Sequence, residues 1–362
     1  ASMQQDGPGF TFSVNDGSLG DVRLRLDGRV ADSAEPLRID ADFELLLPGP
    51  GAVHLWLPEL ALPEQPIAVS GSLRNRPQGL AIEQARIALG DIEVRADGMF
   101  KHEGQFDVKL TASGPDASAL SGPVRVELPG QPFRLSAQLA GDTALLEVRD
   151  IEATLGDSRL EGEVTWAQGA ERRLQARLHA PMLDLLPWAV EEQAREPEPA
   201  RALVFDDTPV LELADLGIQI GGQLTIDQIR LNTARASQIE IGVALTGRRL
   251  EITPFSFRGM TGGLVSGSLI LDGDSGVPIL EADLHGADVT LAFGAYEGQD
   301  PTTLPRGKLD LELRGQGQTH RELASSLTGR LRMRFGTGEL APSNFDFLLS
   351  DFLTELIDTL NP

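Results

Sequence analysis

Apolar and polar residues alternate through much of this chain, beginning with Val22, Leu24 and Leu26 set between Arg23, Arg25 and Asp27. A period of two is the mark of a strand with one wet face. The stretch LGDVRLRLDGRV at 19–30 returns in design as LGDIEVRADGMF at 89–100 and as LGDSRLEGEVTW at 155–166. Aligned on their LGD triplets, the copies keep phase: Ile92, Val94 and Ala96 in the second, Leu160, Gly162, Val164 and Trp166 in the third. The preceding residues correspond as well. Phe10 and Phe12 match Leu80 and Ile82, which match Leu146 and Val148. Ala85, Ile87 and Leu89 then match Ile151, Ala153 and Leu155, with a change of phase between the two parts that predicts a bulge or bend. Each unit reads as strand, Gly-Asp turn, strand. The triplets begin at 19, 89 and 155, a spacing too uneven for a tight solenoid but suited to a repeated multi-strand unit.

Further alternating runs include Leu37/Ile39/Ala41/Phe43/Leu45, Ile67/Val69/Gly71/Leu73, Phe106/Val108/Leu110, Val124/Val126/Leu128 and Phe133/Leu135/Ala137/Leu139. Later come Leu211/Leu213, Ile218/Ile220, Ile239/Ile241/Val243/Leu245, Leu280/Ala282/Leu284, Val289/Leu291/Phe293, Leu309/Leu311/Leu313 and Leu331/Met333/Phe335. The strand count approaches twenty, and little helix-length sequence separates the strands, which argues against parallel βαβ construction. The expected class is mainly β: an extended, curved antiparallel sheet of repeated strand units with a few short helices. Alternation alone does not separate an open trough from a sandwich. The expected divisions are repeated β units over 1–180, a short helix and acidic Pro-bearing linker over 181–200, a β region over 201–342 and a helix over 343–362. That last helix follows from Phe345, Leu348, Leu349, Phe352, Leu353, Leu356, Ile357 and Leu360 at three- and four-residue steps, with Ser343 or Asn344 as its cap. Its acidic opposite face suits packing on a sheet end better than a membrane surface.

Composition narrows the function classes. With 39 glycines and 23 prolines but 41% apolar residues, the chain is turn-rich and folded. A net charge of -23, spread along the length, opposes nucleic acid, whose phosphates call for Lys and Arg. The absence of cysteine excludes disulfides and thiolate metal sites, and is compatible with cytosol or periplasm. No run of 18 apolar residues is present. Ala1-Ser2-Met3 reads as a cleavage scar ahead of an internal start, so the expectation is a piece of a longer protein with its anchor or signal cut away. Catalytic ingredients are scattered: His54, His102, His179, His285 and His320 stand apart, without HExxH or a GxSxG elbow. The pairs Asp206-Asp207 and Glu191-Glu192 read as solvated turn or linker. Asp27-Gly28, Asp97-Gly98 and Asp272-Gly273-Asp274 offer oxygen ligands but match no calcium loop, and read more simply as hairpin turns. No metal or cofactor is called for. Gly98, Gly162 and Gly267, in or near strands, permit a bend or close approach, or are ordinary bulge positions.

Residues 200–361 resemble the C-terminal part of the AsmA family of Gram-negative envelope proteins, and the upstream units resemble its N-terminal and middle portions. The resemblance is carried by FDDTPVL at 205–211, GRRLEITPFSFRGMTGGLVSGSLILD at 247–272 and the closing apolar helix. Its centre is Phe205 and Pro209, then Leu250, Pro254, Gly262, Gly263 and Gly267, scaffold-like positions without catalytic character. The resemblance implies a periplasmic body anchored in the inner membrane by an N-terminal helix, and larger relatives are thought to form bridge-like β structures whose grooves conduct phospholipid. It also implies involvement in outer-membrane assembly or lipid balance. By strand parity the candidate groove lining is Val22, Leu24, Leu26, Ile92, Val94, Leu160, Val164, Trp166, Val265, Leu269 and Leu271. Phospholipid or another acyl-chain lipid is the expected partner, held by passive apolar contact with headgroups at the polar rim. The alternatives are a noncatalytic scaffold for envelope assembly proteins, a calcium-supported adhesin and a carbohydrate-active enzyme.

Overall fold

The structure, a computed structural model, describes residues 2–6, 9–19, 22–31, 38–49, 65–101, 103–124, 126–169, 171–188, 207, 209–210, 217–230, 235–259, 261–274, 276–290 and 305–337. The protein is mainly β, and its chain divides into two compact units, residues 1–168 and 169–362. The closing helix expected over 343–362, the expected acidic linker from 189 to 200, Leu211/Leu213 and Leu291/Phe293 lie outside the described residues.

The first unit holds β1 (Ser2–Asp6), β2 (Gly9–Leu19), β3 (Val22–Ala31), β4 (Arg38–Leu47), β5 (Ile67–Arg76), β6 (Gly79–Leu89), β7 (Ile92–Lys101), β8 (Phe106–Gly114), β9 (Phe133–Gly141), β10 (Leu145–Leu155) and β11 (Ser158–Ala167). Each strand pairs antiparallel with the next, and no described pairing joins β1 to β11, so the sheet is an unclosed meander. β1 was not legible in advance: SMQQD has no alternation, yet Met3 pairs with Phe12 and the segment forms an edge strand.

The repeated design is visible in register. Leu19 pairs with Val22, Leu89 with Ile92 and Leu155 with Ser158, each across two residues. In the second and third turns Gly90 and Gly156 stand first with φ of 56° and 54°, the order a type II′ hairpin requires. The phase change is a bulge on the first strand of each hairpin, between Val14 and Gly17, Ile82 and Ala85, and Val148 and Ile151. Gln84 and Asp150 occupy the second and third bulges with φ of 52° and 50°, a region uncommon for residues other than glycine. The strained position is held from across the ladder, because Asp97 Oδ1 accepts from the Gln84 backbone N–H at 2.7 Å. Near the first bulge Asp27 Oδ1 accepts from Ser13 Oγ.

Asp27-Gly28 and Asp97-Gly98 are therefore not hairpin turns. Both dipeptides lie inside strands, β3 and β7, where the aspartate serves the bulge opposite and the glycine admits its neighbours. A Cβ on Gly98 would overlap the Asp107 carbonyl, and one on Gly28 would meet the Phe12 ring. Val124/Val126/Leu128 is likewise not a strand. Asp116 Oδ1 accepts from Ser118 N at 2.9 Å and starts a 3-10 turn (Ala117–Leu120), which runs into α1 (Ser121–Val124). The Leu128 N–H then bonds to Ser121 Oγ at 2.9 Å, a side-chain partner where a strand would need a ladder.

The second unit holds β12 (Arg172–Asp184), β13 (Ile218–Arg230), β14 (Arg235–Thr246), β15 (Arg249–Arg258), β16 (Leu264–Asp272), β17 (Ile279–Thr290), β18 (Arg306–Gln316), α2 (His320–Ser326) and β19 (Thr328–Phe335). From β13 onward the pairing is an antiparallel meander, and no described pairing joins β19 to β12. The wholly antiparallel expectation fails at one place, since β12 and β13 pair in parallel. A parallel pair needs a long crossover, and residues 185–217 provide the length. β12 runs to Asp184 through Pro181, where the missing N–H interrupts the ladder between Ala180 and Leu183.

Gly98→Ala should lower stability to denaturant by about 1–3 kcal/mol, because the new methyl group meets backbone of the adjacent strand. Gly49→Ala, with open space around the position, should leave the denaturation midpoint almost unchanged. Equal midpoints for the two variants would refute the close-approach account.

Candidate functional site

Residues opposite one another in adjacent strands share a face, so the registers define what each sheet presents. In the first unit one rung runs Leu24, Leu45, Val69, Ile87, Val94, Ala112, Leu135, Ala153 and Leu160 from β3 to β11. In the second unit one runs Leu178, Leu224, Ile241, Phe255, Gly267, Leu284, Leu311 and Leu331 from β12 to β19. Every sheet strand on these two rungs contributes a carbon-rich side chain or a glycine. Parity survives the bulges because the extra residue lies on β2, β6, β10, β14, β15 or β17, while β3, β7, β11 and β16 carry uninterrupted alternation.

One buried cluster packs on this face in each unit; elsewhere half-exposed residues stand beside buried ones such as Ala180, Ile226, Leu309 and Leu311. In the first, Leu47, Ile67, Leu89 and Ile92 form a buried cluster against which Ala119, Leu120 and Phe133 pack, so the segment after β8 folds over the hairpin end. In the second, Leu271 and Leu280 are buried with Leu323 of α2, flanked by Val210, Leu250, Leu269 and Leu327. Thr319 caps α2 by accepting from Glu322 N at 3.2 Å, and Glu322 Oε2 accepts from Gln318 N at 2.7 Å. Away from these ends Leu24, Ile87 and Leu331 keep 36%, 40% and 39% of their surface exposed, values foreign to a sealed core.

The sequence-derived lining residues fall on this face. Val22, Leu24 and Leu26 are on β3; Ile92 and Val94 on β7; Leu160, Val164 and Trp166 on β11; Val265, Leu269 and Leu271 on β16. Ile92 and Leu271 belong to the two buried clusters, and Val22, Val94 and Leu269 pack against them. Leu26, Leu160, Val164, Trp166 and Val265 are half-buried. Of the motif positions, Pro209 bridges to Thr319 beside α2, and Leu250 packs on the second cluster. Pro254 lies in the β15 bulge, preceded by a cis peptide bond. Gly262 and Gly263 form the β15–β16 turn, where Gly259 N donates to Gly263 O at 2.9 Å, and a Cβ on Gly267 would overlap the Asp283 carbonyl. Phe205 and the apolar positions from Phe345 to Leu360 lie outside the described residues.

Sequence reasoning missed a charged pair at the strand ends. Asp184 and Arg230 are register partners at the far ends of β12 and β13, and Asp184 Oδ2 accepts from Arg230 Nη2. The Asp184 side chain is 9% exposed, and the Arg230 guanidinium holds its carboxyl below the usual range. Past the irregular position at Gln238, Ser237 pairs with both Gln228 and Arg258, so Arg230 lies on the side of Arg258 and not on that of Ile220, Leu224 and Ile226. Beside the pair, Met182, Gln228, Ile229, Arg230, Ala236, Ser237 and Gly259 line a cavity of about 670 Å³.

The opposite face is charged. Arg74 pairs with Asp42, Arg76 with Glu83, Arg86 and Arg95 with Glu93, and Arg249 with Glu251 and Asp272. Such exposed pairs contribute little stability individually. His285 stands between Asp310, 2.9 Å from Nδ1, and Asp283, 3.1 Å from Nε2. The Asp310 hydrogen bond, followed by the charges of Asp283 and Glu312, raises its pKa above 6.5. Comparison of the chain with protein-family models, curated proteins and solved structures found no match.

Because the native pKa of His285 is raised, its stabilisation is complete below the unfolded value of about 6.5 and is lost as pH rises through the native one. The stability difference between the natural chain and His285→Asn, followed by urea denaturation, should shrink from pH 6 upward. A difference that is constant with pH would remove the imidazolium from the account.

Proposed function

We propose that this chain is the periplasmic part of an AsmA-like protein that binds or conducts phospholipid acyl chains along its apolar sheet face. In this reading it contributes to outer-membrane lipid homeostasis or assembly and is held at the inner membrane by a preceding anchor. The supporting observation is that apolar rungs cross whole sheets while many of their residues remain half-exposed. Contiguous apolar surface of this kind marks an interaction site in a water-soluble body. Hydrocarbon laid on it gains about 25 cal/mol per Å² covered before ordering costs are subtracted. No step in this activity requires a nucleophile or a general base, and the protein acts without catalysis.

A noncatalytic scaffold is the second reading, favoured by β19. All its residues but Phe335 are exposed, and Arg330, Arg332 and Arg334 alternate there with Leu331, Met333 and Phe335. An edge with both faces open can take up a partner strand.

Native purification followed by lipid mass spectrometry separates the two. The lipid reading expects stoichiometric phospholipid, and its loss from Val94→Asp and Leu160→Asp proteins whose circular dichroism is unchanged. A folded natural chain that carries no lipid and takes none from mixed micelles would move the assignment to the scaffold.

A further inference from the structure

In a chain of net charge -23, β19 carries a row of positive charge. Arg330, Arg332 and Arg334 share one face, opposite Glu312, Asp310 and Lys308 of β18. Asp310 is held by His285, and among the described residues none of the three arginines has an ion-pair or hydrogen-bond partner. The strand is also open along its length. It keeps register with β18 over its eight residues, without a bulge or a proline, and no described strand pairs with its other edge. Gly336 N donates to Arg306 O at 2.9 Å, so the even-numbered residues of β19 are the ones that exchange bonds with β18. The N–H and C=O groups of Leu331, Met333 and Phe335 therefore point to the open edge. Leu331 and Met333 are 39% and 37% exposed on the face opposite the arginines.

We infer that this edge takes up, as an added antiparallel strand, an extended segment of another protein in which carboxylate residues alternate with apolar ones. The inference rests on the scaffold reading of β19 and is independent of lipid on the apolar face. In strand addition the main chain supplies attachment and the alternate side chains supply choice. A partner bonded antiparallel to Leu331, Met333 and Phe335 sets its own apolar residues opposite them. Its intervening residues then stand opposite the arginines. Opposite charges directly across a ladder stabilise it, and like charges destabilise it. That rule excludes a second copy presenting the same edge, because arginine would meet arginine. The β1 edge of a second copy serves no better, since its five residues carry one acid, Asp6. The field of a chain carrying -23 repels carboxylates elsewhere on its surface, so the arginine row confines such a partner to this strand.

The test uses the full chain and synthetic peptides matched to the eight residues of β19, in which valine alternates with glutamate, threonine or lysine. At low salt the glutamate peptide should bind about ten-fold more tightly than the threonine peptide, and the lysine peptide most weakly. N-methylation of the valines should abolish binding, because their amides meet the edge, whereas N-methylation of the glutamates should spare it. Arg330→Gln combined with Arg332→Gln, both at exposed positions, should bring the glutamate peptide down to the threonine level. If that variant unfolds, the peptide series on the natural chain decides. The Leu331, Met333 and Phe335 amides should exchange quickly with deuterium in the free chain and become protected when the glutamate peptide is added. Slow exchange before any peptide is present assigns the edge to an occupant already in place and overturns the inference. So does binding that survives valine methylation, or that is lost on glutamate methylation instead. Equal binding of the glutamate and threonine peptides overturns the acidic partner and leaves strand addition, and with it the scaffold reading, standing. Failure of every peptide to bind overturns both.

Discussion

Preservation of side-chain parity across successive strand pairs is the constraint on which the rest of the structure depends. A slip of one residue would turn leucines to water and arginines inward. The chain inserts extra residues repeatedly and absorbs each one locally. Gln84 and Asp150 take backbone conformations rare for their type, and the Asp97 carboxylate holds the first of them through its N–H. The undisturbed partner strands then carry Val94, Leu160 and their neighbours on one side without a break.

With parity secured, the small helices determine where the apolar face is covered. Leu120 near α1 and Leu323 in α2 each close over a cluster at one end of a unit. Between those ends and the opposite rims many leucines and valines retain partial access, beside buried Leu309 and Leu311, and the reverse face is charged. Stability comes mainly from ladder hydrogen bonds and half-burial spread over many residues, with few side chains wholly removed from water. Pro129 is the largest among the described residues to be so removed. Such a distribution leaves apolar side chains partly accessible across each sheet.

Much of this was legible because one period governs both alternation and burial. The three LGD hairpins, their bulges, the common face of Val22 to Trp166 in the first unit and that of Val265 to Leu271 in the second follow from phase alone. What escaped had competing local chemistry. Asp27-Gly28 and Asp97-Gly98 have the composition of turns, but their glycines serve close packing and their aspartates serve hydrogen bonds across the ladder. Val124/Val126/Leu128 alternates, yet Asp116 and Ser121 offer side-chain partners that start and end a helical turn instead. The parallel β12–β13 pair leaves no mark in alternation, which carries no information on strand direction. Arg230 was passed over because a charge at a strand end resembles an ordinary terminus until its partner on the neighbouring strand is known.

Next-neighbour pairing also has a kinetic meaning. In the first unit each strand finds its partner in the segment just completed, so every closure spans a short stretch of chain and costs little entropy. An all-β body usually pays for distant partners with slow folding, but this unit can grow hairpin upon hairpin from its N-terminal side, even as the chain emerges from a ribosome. The step that must wait is β13 settling beside β12, because residues 185–217 have to arrive first.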